Sequence, residues 1–318
     1  MSRHNLFISN FSKEIKFFVK LFIFCFCVLL FCVHVMPQYS QGYCAALIDK
    51  VDRLKGIDEP KIVLLGNSNL TFGIQSDIIE NEFGMPVVNM GLHANLGNVF
   101  HEEMARMNVC EGDIYVLCHA SFNDDGTIMD PVVAWITLED QWELYDILRL
   151  EDLIPMMRKY PVYLRKCLDL YVEGTGNQDT EDVYSRNAYN QYGDICFEHS
   201  ESIYQFDAEV KPADISDITV KRINELAEWL SERGATLVVA GYPIGKGELT
   251  VDESEYVKFQ QELEKKLVCP IISDYTDYMY EYDYFYNSRL HLNDAGAELR
   301  TRQLVDDIKE WLQKGGNL

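Results

Sequence analysis

The 318-residue sequence predicts an α/β fold built on a doubly wound parallel sheet, and three observations carry that expectation. Short apolar runs without helical spacing recur at 62–65, 113–118 and 235–242, each ending in a polar or glycine-containing turn. Strands buried on both faces of a sheet have this pattern. Between and after them, apolar residues recur at three- and four-residue intervals, so strands alternate with helices. A composition that is 47% hydrophobic can fill one large core. With shorter runs at 85–90 and 270–273, five strands are expected, in a sheet of the flavodoxin-like class.

Residues 17–36 are apolar except for Lys20 and His34. As a helix they would measure about 30 Å, the thickness of a bilayer core. Arg3, Lys13, Lys16 and Lys20 precede or open this run, and no Lys or Arg follows until Lys50. That asymmetry predicts a single-pass membrane anchor with a cytoplasmic N-terminus and an extracytoplasmic domain. A cleaved signal peptide is the rival, but no small-x-small cleavage site closes the run. Residues 37–60 read as a polar, partly helical stalk, and the domain occupies 61–318.

Ile62 to Leu65 form the first strand and run into Gly66-Asn67-Ser68-Asn69. A serine just past a buried strand lies at the carboxyl edge of the sheet, where ligands bind and nucleophiles are displayed. Ser68 also reads as a simple helix N-cap. A helix over 76–82 leads to the second strand, which ends at Gly91. The third strand, 113–118, runs into His119-Ala-Ser-Phe-Asn-Asp124.

The sheet pattern lapses from 126 to 212, and helical spacing at 140–150 and 151–170 indicates a mostly helical insertion bordering the site. Its tyrosines suit either sugar stacking or ordinary packing. Regular order resumes with a helix over 217–233, a fourth strand, a helix over 254–267 and a fifth strand. The segment Asn287-Ser-Arg-Leu-His-Leu-Asn-Asp-Ala-Gly296 then precedes a C-terminal helix over 297–312, which puts His291 on the same sheet edge as Ser68.

A formal charge of -23 repels phosphate backbones, so nucleic acid is not an expected partner. The nine cysteines lack Cys-x-x-Cys spacing, so no metal framework is expected. A disulfide such as Cys167 with Cys196 stays open.

Gly66-Asn67-Ser68 and His291-Leu-Asn293-Asp-Ala-Gly296 resemble the first and last sequence blocks of the SGNH, or GDSL-type, hydrolase superfamily, with Asn67 in place of an aspartate and Leu292 in place of a proline. The resemblance covers roughly 61–125 and 217–312. It implies a three-layer sandwich and a cofactor-free serine esterase or O-acyltransferase, with Ser68 as nucleophile and His291 as general base. The oxyanion hole would comprise Ser68, Gly91 and Asn123, the last from Ser121-Phe-Asn-Asp124, where a serine replaces the superfamily's glycine. Gly91 is otherwise an ordinary turn glycine, and Asn123-Asp124 an ordinary turn dipeptide.

The superfamily's aspartate three residues before the histidine is replaced here by Ser288, so the acid is unassigned; Asp283 and Asp294 lack its spacing. Together with the expected anchor, the resemblance implies acyl esters of cell-surface polysaccharide as substrate and a membrane-bound acyltransferase as partner. The alternative is a non-catalytic polysaccharide-binding or assembly protein on the same fold.

Overall fold

The computed structural model describes residues 4–139, 141–205 and 209–316, with 4–12 and 32–34 as backbone only. Arg3, Asp140 and the side chains of Cys32 and His34, which enter the expectations above, lie outside the described residues. The chain opens with α1 (His4–Val35) and α2 (Leu47–Lys55), followed by β1 (Ile62–Leu65), α3 (Ser68–Thr71), α4 (Ser76–Phe83) and β2 (Val87–Asn89). Next come α5 (Asn98–Glu103), β3 (Ile114–Leu117), α6 (Pro131–Thr137), α7 (Leu153–Glu173) and α8 (Asp217–Ser231). The remainder is β4 (Thr236–Val239), β5 (Ile244–Gly245), α9 (Ser254–Lys266), β6 (Met279–Tyr280), β7 (Phe285–Ser288), β8 (His291–Leu292) and α10 (Asp294–Gln313).

The central sheet has four parallel strands in the order β2-β1-β3-β4. Side chains alternate along each strand, so each strand feeds two cores. Ile62, Leu64, Ile114, Val116 and Val238 pack with Leu304, Val305 and Ile308 of α10 and Ile79 of α4. Val63, Leu65, Tyr115, Leu117 and Val239 face the opposite layer, which holds Val51 and Leu54 of α2, Leu226 and Leu230 of α8, and Phe259 of α9. A third layer on each face is what a both-sides-apolar strand requires. The sheet order turns back between β1 and β3, and that switch point locates the ligand crevice in open α/β sheets.

Three expectations change, and one open question closes. The run 270–273 is not a full strand but one bridge, Ile271 to Val239, where Pro270 has no N–H to extend a ladder. Residues 37–60 are not a stalk, because Leu47, Val51 and Leu54 of α2 are fully buried against the sheet. Residues 142–147, expected as regular helix, form a 3-10 helix; α7 follows and continues unbroken through Pro161. Cys167 and Cys196 are both free thiols.

The membrane anchor is also corrected. Among the described residues no helix is long and apolar enough to cross a membrane. The described part of α1 carries Lys13, Glu14, Lys16 and Lys20. Val35, at its end, packs with Val132, Tyr163 and Cys167 of the insertion. The single-pass placement, cytoplasmic N-terminus and exported domain, falls with the span on which it rested.

Candidate active site

Ser68 opens α3 directly after β1, with Asn67 as the N-cap: its Oδ1 accepts from the backbone N–H and the side-chain amide of Asn69. The Asn69 amide also donates to the Cys118 carbonyl at the end of β3, tying the serine turn to the neighbouring strand. From the other face, the buried Arg300 of α10 donates to the Asn69 carbonyl at 2.6 Å, to Asn69 Oδ1 at 2.8 Å and to the Gly241 carbonyl at 3.2 Å. Gly73 leaves room for this guanidinium, since a Cβ there would lie 2.7 Å from Arg300 and 2.4 Å from the Asn69 carbonyl oxygen.

The structure brings Ser68 and His291 together. His291 Nε2 lies 2.7 Å from Ser68 Oγ, across 223 residues of sequence. His291 Nδ1 lies 2.8 Å from Asn287 Oδ1, and the Asn287 amide donates to the Tyr184 hydroxyl at 2.8 Å. Because the Asn287 nitrogen is committed to Tyr184, its oxygen faces the histidine. Nδ1 therefore carries the proton, and the Nε2 lone pair accepts from the serine hydroxyl.

Asn287 fills the place left unassigned by the sequence. β7 and β8 form an antiparallel hairpin pairing Ser288 with His291 and Phe285 with Leu292, and the register shift between those pairs marks an irregularity. A bulge re-aims a side chain that regular alternation would send to the other face. Asn287 thus reaches the imidazole, while the Ser288 hydroxyl accepts from the Leu290 N–H. Neither Asp294 nor Asp283 does so: Asp294 bonds Ser200 and the backbone N–H of His199, and the Asp283 carbonyl accepts from Asn293.

Phe72 stacks on His291 with ring centroids 4.2 Å apart and planes 13° from parallel. Burial, with the charges that protonated His93 and His199 would add, pushes the His291 imidazole down to about 3. No carboxylate opposes that shift, so the ring is neutral through the physiological range and able to accept a proton. His199 packs edge-on against Phe72 and Tyr286, and its buried Nε2 has no hydrogen-bond partner among the described residues. Phe72, His93 and His199 were not singled out from sequence, and Tyr184 entered only as one of the insertion's tyrosines; Tyr184 and His199 come from the insertion, which has no strand or motif to announce their place in the site.

The oxyanion side differs from expectation. The Gly91 N–H donates to Asn89 Oδ1 at 2.9 Å, and a Cβ at Gly91 would lie 2.7 Å from Leu70 Cβ. Its glycine is explained by close packing behind the serine turn. Asn123 is exposed, and among the described residues its side chain makes no hydrogen bond to Ser68, His291 or their partners. The Ser68 backbone is flanked by the bridge from Asn67 to Leu92. His119 is structural: its Nε2 meets Glu102 Oε1 at 2.8 Å, inside a network in which Arg222 bonds both Glu102 and Asp124.

Comparison of the chain with protein-family models, with curated proteins and with solved structures finds no match.

Proposed function

We propose that the chain is a serine-dependent ester hydrolase or O-acyltransferase in which Ser68, His291 and Asn287 form the catalytic relay. The single observation that carries this reading is the continuous Ser68–His291–Asn287 chain of 2.7 and 2.8 Å contacts at the carboxyl edge of a parallel sheet. Ser68 Oγ attacks the acyl carbon as His291 Nε2 takes its proton, and a tetrahedral intermediate forms. His291 then gives that proton to the departing alkoxide, leaving the acyl group on Ser68. Water, or a second alcohol, deprotonated by His291, releases the acyl group and restores the serine. Asn287 holds the imidazole tautomer as a neutral acceptor, the role that asparagine fills in Cys-His-Asn sites.

The resemblance to SGNH hydrolases supports the same chemistry, with acyl esters of polysaccharide as the substrate class. A second reading, a non-catalytic polysaccharide-binding protein, is favoured by the engagement of the Gly91 N–H with Asn89. Hydrolysis of aryl acetates by the purified chain separates the two readings. The enzyme reading expects turnover that is lost in both Ser68→Ala and His291→Ala; equal turnover in wild type and Ser68→Ala would remove the assignment.

A further inference from the structure

The inference rests on the esterase reading and concerns what holds the negative charge that forms when Ser68 attacks. Two expected donors are engaged elsewhere or turned outward: the Gly91 N–H is committed to Asn89 Oδ1, and Asn123 is exposed. The strand register brings another donor to the serine. β1 and β2 run in parallel with Ile62 opposite Val87, and the bridge of Asn67 to Leu92 keeps the same offset beyond both strands. One residue further, that offset sets His93 level with Ser68 at the carboxyl edge of the sheet. His93 also joins the aromatic wall behind the base: its ring meets Tyr43 edge-on with centroids 6.4 Å apart, Tyr43 stacks on Phe72, and Phe72 stacks on His291.

The tautomer of His93 follows from its backbone contact. Nδ1 accepts the Asn95 N–H at 3.1 Å, so the proton of the neutral ring sits on Nε2. Burial holds the imidazole below the ordinary histidine value, with the Asp130 charge opposing, and the neutral form prevails at pH 7. Among the described residues, Nε2 makes no hydrogen bond, and the ring is only half-buried. His199, the other histidine beside the base, has the opposite arrangement. Its Nδ1 meets the Phe197 carbonyl at 2.7 Å and so carries the proton, which leaves Nε2 of the neutral ring an acceptor with nothing to donate to an oxyanion.

We propose that His93 is a catalytic residue of this site, donating Nε2–H to the substrate oxyanion. As Ser68 Oγ bonds to the acyl carbon, the carbonyl π pair moves onto oxygen, and His93 donates a hydrogen bond to that oxygen while keeping its proton. The pair returns to re-form the carbonyl when the bond to the leaving alcohol breaks, and the same donor serves the second attack that frees Ser68. A histidine kept neutral by its surroundings can act as an electrophile in this way. The two histidines then divide the work by tautomer: His291 offers a lone pair to Ser68, and His93 offers a proton to the charge that results.

The test uses the purified chain, an aryl acetate and two substitutions that separate the roles of His93. Asparagine keeps an acceptor for the Asn95 N–H and lacks the distal donor, whereas glutamine carries an N–H towards the Nε2 position. His93→Asn should lower kcat by about 10²–10³ with KM little changed, the loss typical of one oxyanion donor, and His93→Gln should lose less. Affinity for an aryl trifluoromethyl ketone, which forms a tetrahedral oxyanion on Ser68, should fall in step with kcat, while affinity for the unreactive methyl ketone stays. A purely structural role would not single out the tetrahedral adduct. A kcat change below about twofold in His93→Asn, a loss that spares trifluoromethyl ketone affinity, or an equal loss in His93→Gln overturns the proposal. If His93→Asn does not fold, NMR of wild type decides: the His93 Nε2 proton should move downfield in the ketone adduct, and an unmoved proton overturns the proposal. Turnover that requires Ser68 and His291 but not His93 removes this inference alone. Wild-type turnover no greater than that of Ser68→Ala removes the esterase reading and the inference with it.

Discussion

Replacing Asn287 by aspartate puts a carboxylate 2.8 Å from His291 Nδ1, where a neutral amide oxygen now stands. The site can accept that change without an orphaned group, because the Tyr184 hydroxyl, which accepts from the Asn287 amide, can rotate to donate to a carboxylate. A charge-assisted hydrogen bond exceeds a neutral one by roughly 1.5 kcal/mol, equivalent to about one pKa unit on the imidazole. His291, held down near 3 by burial, should therefore titrate about one unit higher. It remains neutral at pH 7, so the gain appears as stabilisation of the imidazolium in the transition state, up to about tenfold in kcat/KM. The assay is the pH dependence of kcat/KM for an aryl acetate. Wild type should be flat to well below pH 6.5, and the acid limb should move up by about one unit in Asn287→Asp. Ser288→Asp should leave both the limb and the rate in place, because Ser288 bonds the Leu290 N–H rather than the imidazole. A fixed acid limb in Asn287→Asp, or a shift produced by Ser288→Asp instead, would refute the assignment of Asn287.

Asn123→Ala should change kcat/KM by less than about twofold, whereas loss of an oxyanion donor costs about 10²–10³ in kcat, so steady-state kinetics decide its role. Arg300→Leu should lower unfolding free energy by at least about 2 kcal/mol in urea titration and reduce turnover as well, because it releases the Asn69 carbonyl and side chain that seat Ser68. His101 is fully buried and pushed down to about 3, chiefly by burial and then by the neighbouring His119. Its folded value lies below its unfolded one, so stability is full above about pH 6.5 and declines as pH falls towards 3. The loss amounts to roughly 2 kcal/mol at pH 5, measurable by urea titration at pH 5 and 7.5.

The strands were legible because residues buried on both faces leave uninterrupted apolar runs, as in Ile62 to Leu65. The serine and histidine were legible because each directly borders an element whose end is marked, Ser68 after β1 and His291 before α10. Asn287 was hidden by the hairpin irregularity, since regular alternation would direct position 287 away from the face that Ser288 and His291 share. Tyr184 and His199 come from a segment whose long connections carry no periodicity. The anchor expectation is overturned because, among the described residues, no helix is long and apolar enough to cross a membrane, and the end of α1 packs on the insertion. The assignment of Gly91 to an oxyanion hole failed because a motif cannot reveal that Asn89, two residues earlier, takes its N–H.

The central claim is that Ser68 is a nucleophile activated by a neutral, Asn287-oriented His291. The most direct measurement is labelling of the purified chain with a fluorophosphonate, followed by mass spectrometric mapping of the modified peptide, because such a probe reacts with serines activated by an adjacent base. The predicted result is one modification at Ser68 in wild type, with none in His291→Ala. A folded wild-type chain that is never labelled, or labelling that maps to another serine and persists in Ser68→Ala, would contradict it.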